Sequence, residues 1–161
     1  MERRKFLGLG ATVVGASMLP MSVLNATDFR ATKPDAWEAA KSADAIKALY
    51  GDVKLITTDK IKMKAPKLAE NGGSIPIKLT SKMDLESIAV FQDANPRSTV
   101  CVFTVPKNGT IAYDLRMKMR STSDITVIAK GRDGQFYKLS QKVEVSIGGC
   151  GGWFNHPSPI K

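Results

Sequence analysis

From Lys60 to Ile147 the chain is a succession of short alternating runs divided by turn residues. Successive side chains of a strand point to opposite faces, so alternation suits segments with one face on a core and one in water. Ile61 and Met63 alternate with lysines. After the turn Asn71-Gly72-Gly73, Ile75, Ile77 and Leu79 alternate with Pro76, Lys78 and Thr80. Leu85–Phe91 and Val100–Val105 lie on either side of a turn at Asn95-Pro96. Asn108-Gly109 turns into Ile111–Met119, where Leu115, Met117 and Met119 share one face and Arg116, Lys118 and Arg120 the other. Asp124–Lys130, Phe136–Leu139 and Lys142–Ile147 complete the series, with Gly131-Arg132-Asp133-Gly134 as a hairpin-type turn. About seven or eight short strands at this spacing predict an all-β sandwich or barrel. Pro76 supplies no ladder donor, which predicts an edge strand or a bulge, open to cover by a partner protein.

The stretch before the strands is different. Pro34 to Tyr50 reads as one helix, with Trp37, Ala40, Ile46, Leu49 and Tyr50 near one face. Lys33-Pro34-Asp35 supplies a start and Gly51 a stop. Trp37 is expected to fill core space. Earlier still come Arg3-Arg4-Lys5-Phe6-Leu7, an apolar run from Gly8 to Leu19, and Leu24-Asn25-Ala26. A charged start, a short apolar stretch and a small final residue describe an export signal, and the run is too short for a comfortable membrane span. Arg3 and Arg4 followed by Phe-Leu resemble the twin-arginine type, with Glu2 and Gly8 departing from its usual residues. The expected location is the periplasm. Four segments result: an export signal over 1–26, a helical segment over 27–59, a β-sandwich over 60–147, and a Gly-Cys-Gly arm and tail over 148–161.

The 161 residues, 43% hydrophobic, allow one domain with a real core. Formal charge is +9, and removing Arg3, Arg4, Lys5 and Glu2 with the leader still leaves +7. The cations are scattered, without a Lys/Arg block or interleaved aromatics, which argues against nucleic-acid binding. A small anionic ligand or an acidic protein partner fits the charge as well.

The chemistry falls to two cysteines. Cys101 shares strand parity with Phe103 and Val105 and is expected to face the core as an inert, small hydrophobe. A bond between Cys101 and Cys150 stays open from sequence. Cys150 follows a strand end and is bracketed by Gly148, Gly149, Gly151 and Gly152. Glycine adopts almost any backbone conformation and adds no bulk, so this segment presents a thiol on a slim, mobile arm. There is no Cys-x-x-Cys pair for dithiol redox chemistry. His156 is the only histidine, in a tail carrying Pro157 and Pro159. One Cys and one His are too few for a stable metal site. No paired carboxylates, phosphate loop or Ser-His-Asp set stands out, so the expected role is a carrier and not a self-sufficient enzyme, with no cofactor and no metal. Two readings compete with it: a β-sandwich interaction subunit without carrier chemistry, and a thiol oxidoreductase or metal-handling protein using Cys150 with His156.

One family shares these residues. Ala65-Pro66-Lys67-Leu68-Ala69-Glu70-Asn71-Gly72, Ile75-Pro76-Ile77, Asn95-Pro96, Arg116-Met117-Lys118-Met119 and Asp133-Gly134 occur in its order. Val143-Glu144-Val145-Ser146-Ile147-Gly148-Gly149-Cys150-Gly151-Gly152 is the specific piece. From about Phe29 to Gly152 the chain resembles SoxY, the sulfur-carrying subunit of the thiosulfate-oxidising Sox system. The resemblance implies an immunoglobulin-like β-sandwich paired with SoxZ, and thiosulfate-derived groups held covalently on Cys150. It implies loading by the haem enzyme SoxAX, release of sulfate by the hydrolase SoxB, and oxidation of the remaining sulfur by the dehydrogenase SoxCD. Members of the family usually stop after the last glycines, whereas this chain continues from Trp153 to Lys161. A continuing chain must enter a partner channel as a loop or trail outside it. If that tail obstructs entry, trimming after Gly152 should raise the rate of Cys150 loading.

Overall fold

The structure, a computed structural model, describes residues 28–147. The expected export signal with Arg3 and Arg4, and the expected arm with Cys150, lie outside the described residues. Three helices precede the strands: α1 (Phe29–Thr32), α2 (Pro34–Glu38) and α3 (Ser42–Tyr50). Nine strands follow: β1 (Leu55–Thr57), β2 (Ile61–Lys64), β3 (Leu68–Asn71), β4 (Ile75–Ser81), β5 (Leu85–Gln92), β6 (Thr99–Thr104), β7 (Ile111–Met117), β8 (Ser123–Gly131) and β9 (Phe136–Ile147). They form two sheets. The larger runs β1-β9-β8-β5-β6, with β3 also on β9, and the smaller runs β2-β4-β7. This is an all-β, immunoglobulin-like sandwich with helices at its N-terminal side.

Alternation decides how the small sheet packs. Ile75, Ile77 and Leu79 of β4 are buried, while Pro76 and Lys78 between them are exposed. Across the sandwich they meet Ile88 and Val90 of β5 and Ile125 and Val127 of β8 in one core cluster. The large sheet is buried on both faces. Ala89 and Phe91 of β5 and Ile128 of β8 point away from that core and pack on Ala36, Ala45 and Leu49 of the helices. Hence β5 and β8 read as continuous apolar runs: a strand covered on both faces has no solvent side to carry polar residues.

The single helix expected over Pro34–Tyr50 is broken. Ala39 is extended, with ψ 130°, and its carbonyl accepts the backbone N–H of Ser98 at 2.9 Å. Helix α3 then starts afresh, because Asp93 accepts from both the Ser42 N–H, at 2.6 Å, and the Ser42 hydroxyl, at 3.1 Å. A carboxylate brought from a distant loop thus does the work of an N-cap. The interruption changes the helical phase. Ile46, Leu49 and Tyr50 face the sheet, but Ala40 is exposed and Trp37 is only half-buried, beneath the Arg30 guanidinium at 5.0 Å. Ala36 is the residue α2 buries. The expected start and stop hold: Pro34 opens α2, and Gly51, with φ 82°, closes α3.

Three strand expectations change. Phe136–Leu139 and Lys142–Ile147 are one twelve-residue strand, β9. Strand β1, within the stretch assigned to the helical segment, pairs in parallel with β9 at Leu55–Phe136. The strand containing Pro76 is not an edge: β4 lies between β2 and β7. Pairing of β4 with β2 stops at Lys64–Lys78, whereas β7 continues to pair along β4 as far as Ile75–Met117. The missing N–H therefore falls where one neighbour has ended, and proline is tolerated in a central strand.

Candidate carrier site

Strand β9 is the stalk that leads toward Cys150. Its first part is held on both sides, by β8 from Phe136 to Val143 and by β1 over Phe136–Lys138. The last β8 pair is Ser123–Val143. From Glu144 onward the stalk overhangs β8 and is carried by β3, which pairs in parallel at Leu68–Glu144, Ala69–Val145 and Asn71–Ile147. Parallel pairing needs a long crossover, and here the rest of the sandwich lies between β3 and β9.

Side chains secure the overhang where the ladder is one-sided. The Thr122 hydroxyl oxygen accepts the Val145 N–H at 2.9 Å, standing in for the absent β8 partner. The Ser146 hydroxyl donates to the Glu70 carbonyl at 3.1 Å, and the Gln141 amide to the Ala65 carbonyl at 3.1 Å. The Met119 N–H donates to the Gly72 carbonyl at 2.9 Å, tying the turn after β3 to the end of β7. Thr122→Val should leave global stability within about 1.5 kcal/mol, the ordinary net value of one hydrogen bond. Amide exchange at Val145 should quicken by about two- to tenfold, an outcome that unchanged exchange would contradict.

Among the described residues this end of the sandwich holds no catalytic set. Thr122 and Ser146 both bond backbone groups, and no group of three or more His, Cys, Asp or Glu side chains could hold a metal. Sequence reading missed Thr122, Ser146 and β3. Leu68–Asn71 carries no alternation strong enough to announce a strand, and a hydroxyl that substitutes for a ladder partner has no sequence signature.

Cys101 lies on β6 opposite Val90 and packs against the inter-sheet core. Burial pushes its thiol up to about 12 from 9.0, because the thiolate loses its hydration. Tyr50 of α3 is likewise pushed up to about 12 from 10.0 by burial, against an opposing hydrogen bond from Ser87. Both groups are neutral when folded. Their contribution is complete below the unfolded values and is lost as pH rises through the window from about 9 to 12. Stability should therefore fall steeply across that alkaline window. The double variant Cys101→Ala, Tyr50→Phe should flatten the fall, and an unchanged slope would refute the assignment.

The comparisons with known proteins agree with this geometry. Residues 46–150 match the family model described as sulfur oxidation protein SoxY. The chain is similar to the solved sulfur carrier protein SoxY from Chlorobium limicola f thiosulfatophilum, with TM-score 0.59 and 30% identity over 73% of this chain and 95% of that one. It is also similar in fold to a superoxide reductase (neelaredoxin) from Ignicoccus hospitalis, with TM-score 0.50 and 9% identity over 66% of this chain and 90% of that one. No curated protein matches. A two-sheet sandwich matched to both the SoxY family model and the solved SoxY carrier defines a class, the sulfur carriers of sulfur oxidation. Within that class, the chain belongs to the SoxY family. No helix among the described residues is long and apolar enough to cross a membrane.

Proposed function

We propose that this chain carries thiosulfate-derived sulfur covalently on Cys150 and presents it to partner Sox enzymes in the periplasm. One observation carries the reading: the family match extends through Cys150, just three residues beyond the overhanging end of β9 at Ile147. An extended chain gains about 3.3–3.6 Å per residue, so Cys150 reaches on the order of 10 Å past Ile147. Gly148, Gly149, Gly151 and Gly152 keep that arm slim. The twin-arginine-like leader, with Arg3 and Arg4, supports export.

The chemistry belongs to the partners. A haem enzyme removes two electrons as the Cys150 sulfur bonds to the outer sulfur of thiosulfate. The thiol proton leaves to solvent, and Cys150–S–S–SO₃⁻ remains. A hydrolase then adds water across the bond to the sulfone sulfur. Sulfate and protons leave, and Cys150 keeps a persulfide for further oxidation. A SoxZ-type subunit completes the carrier as a heterodimer. Intact-protein mass spectrometry after turnover with thiosulfate and the partner enzymes tests this. An S₂O₃ adduct mapped to Cys150 is expected. An unmodified Cys150 would favour an interaction subunit, and bound metal or a mixed disulfide a thiol oxidoreductase.

A further inference from the structure

We infer that the outer face of the β2-β4-β7 sheet is a docking surface for an acidic protein partner. Residues 28–147 hold twenty Lys and Arg against fourteen Asp and Glu. Their distribution is uneven. Strand register places Lys62 beside Thr80 and Ala112, Lys64 beside Lys78 and Asp114, and Pro76 beside Arg116. Lys60 and Lys82 extend the same face at one end, where they share a groove of about 790 Å³ with Lys62. Lys64, Lys78 and Arg116 line a second groove, of about 690 Å³, with Pro66 and Pro76. The face thus carries six cations and one carboxylate. The rest of residues 28–147 holds fourteen cations against thirteen carboxylates. Five of the six net charges therefore sit on one side of one three-stranded sheet.

The shape of this array selects its occupant. Rows two residues apart along a strand are about 6.6 Å apart and strands about 4.8 Å, so the cations spread over roughly 20 Å by 10 Å. All six are exposed, and only Lys78 is paired here, with Asp114 at 3.3 Å. A small dianion would span only one part of an array this broad. Thr80 and Ala112 line the first groove, and Pro66 and Pro76 the second, between the cations. No aromatic side chain stands between them to stack a base, which disfavours a nucleic acid. A broad, predominantly positive surface fits a partner face of opposite sign, and long-range attraction between two such faces accelerates encounter.

The surface also adjoins the stalk. The Arg116 guanidinium donates to the Ser74 hydroxyl at 3.2 Å, and three residues earlier Asn71 pairs with Ile147. A partner seated on this face lies beside the root of the arm. This placement rests on the carrier reading of Cys150, whereas the charge complementarity does not.

Binding of a fluorescent oligoglutamate peptide to the full chain at low salt tests the face by itself. The triple variant Lys62→Glu, Lys64→Glu, Lys78→Glu should weaken binding by about tenfold, and the milder Gln triple by a smaller factor. Lys33→Glu, Lys41→Glu, Lys54→Glu, at exposed positions elsewhere, should leave it unchanged. Equal losses in both Glu triples, no binding at low salt, or tighter binding of a single-stranded oligonucleotide would overturn the face. With the haem partner, the first triple should raise KM for the carrier and leave kcat unchanged, and an unchanged KM would remove the Sox partners from this surface. Failure of wild-type loading would count against the Cys150 reading alone.

Discussion

Cys150→Ala is expected to abolish loading with thiosulfate-derived sulfur, whereas Cys101→Ala leaves it intact. Cys101 is held back by the small fraction of it that can react. An ordinary thiol titrates near 8.5, so a few per cent is thiolate at neutral pH. Cys101, pushed to about 12 by burial, is thiolate at only about one part in 10⁵ at pH 7. Its position on β6, opposite Val90 and packed against the inter-sheet core, also leaves it only partly exposed. Relative to an ordinary thiol, the loss of thiolate at Cys101 is roughly a thousandfold. Adducts on Cys101 in the Cys150→Ala protein, or an effect of Cys101→Ala on loading, would contradict the assignment. An alkylating reagent gives an independent readout: it should consume Cys150 rapidly and Cys101 far more slowly until the chain unfolds.

Phe91→Ala should be the most damaging single core change on the helix side. Phe91 is 0% exposed and packs with Ala36, Ala45, Leu49, Ala89 and Ile128 in the cluster that seats the helices on the large sheet. Three of these neighbours are alanines, too short to reach into the space left behind. Truncating a buried phenylalanine costs about 3–5 kcal/mol through lost transfer energy and the residual cavity. Such a loss lowers Tm on the order of 10 °C in a domain of this size. Amide exchange in α3 should rise more than in the β2-β4-β7 sheet, which packs against the opposite face. A loss below about 1 kcal/mol, or equal effects on both regions, would show that the helices are seated by other contacts.

The outward view of the small sheet was legible from residue order. In β4 the alternation of Ile75, Ile77 and Leu79 with Pro76, Lys78 and Thr80 is the observed division between core and surface. The helical segment was less legible. Its break depends on Ser98 and Asp93, which reach Ala39 and Ser42 from the loop between β5 and β6. Local periodicity contains no information on a carboxylate arriving from fifty residues away. Trp37 was misplaced for the same reason, since its face follows from the helical phase, and the break resets that phase. Pro76 was misread because strand position was inferred from one residue, whereas the end of β2 is what makes room for it.

Sequence by itself determined the all-β class, the orientation of most strand residues, the family, and the cysteine to which the family match extends. These are local properties, set by side-chain period, turn chemistry and motif. Only the tertiary structure decided that β3 carries the end of β9, that Thr122 replaces a missing ladder partner, and that scattered lysines gather on one face. Each depends on pairing between segments distant in the chain, and strand register, not sequence proximity, sets which side chains become neighbours.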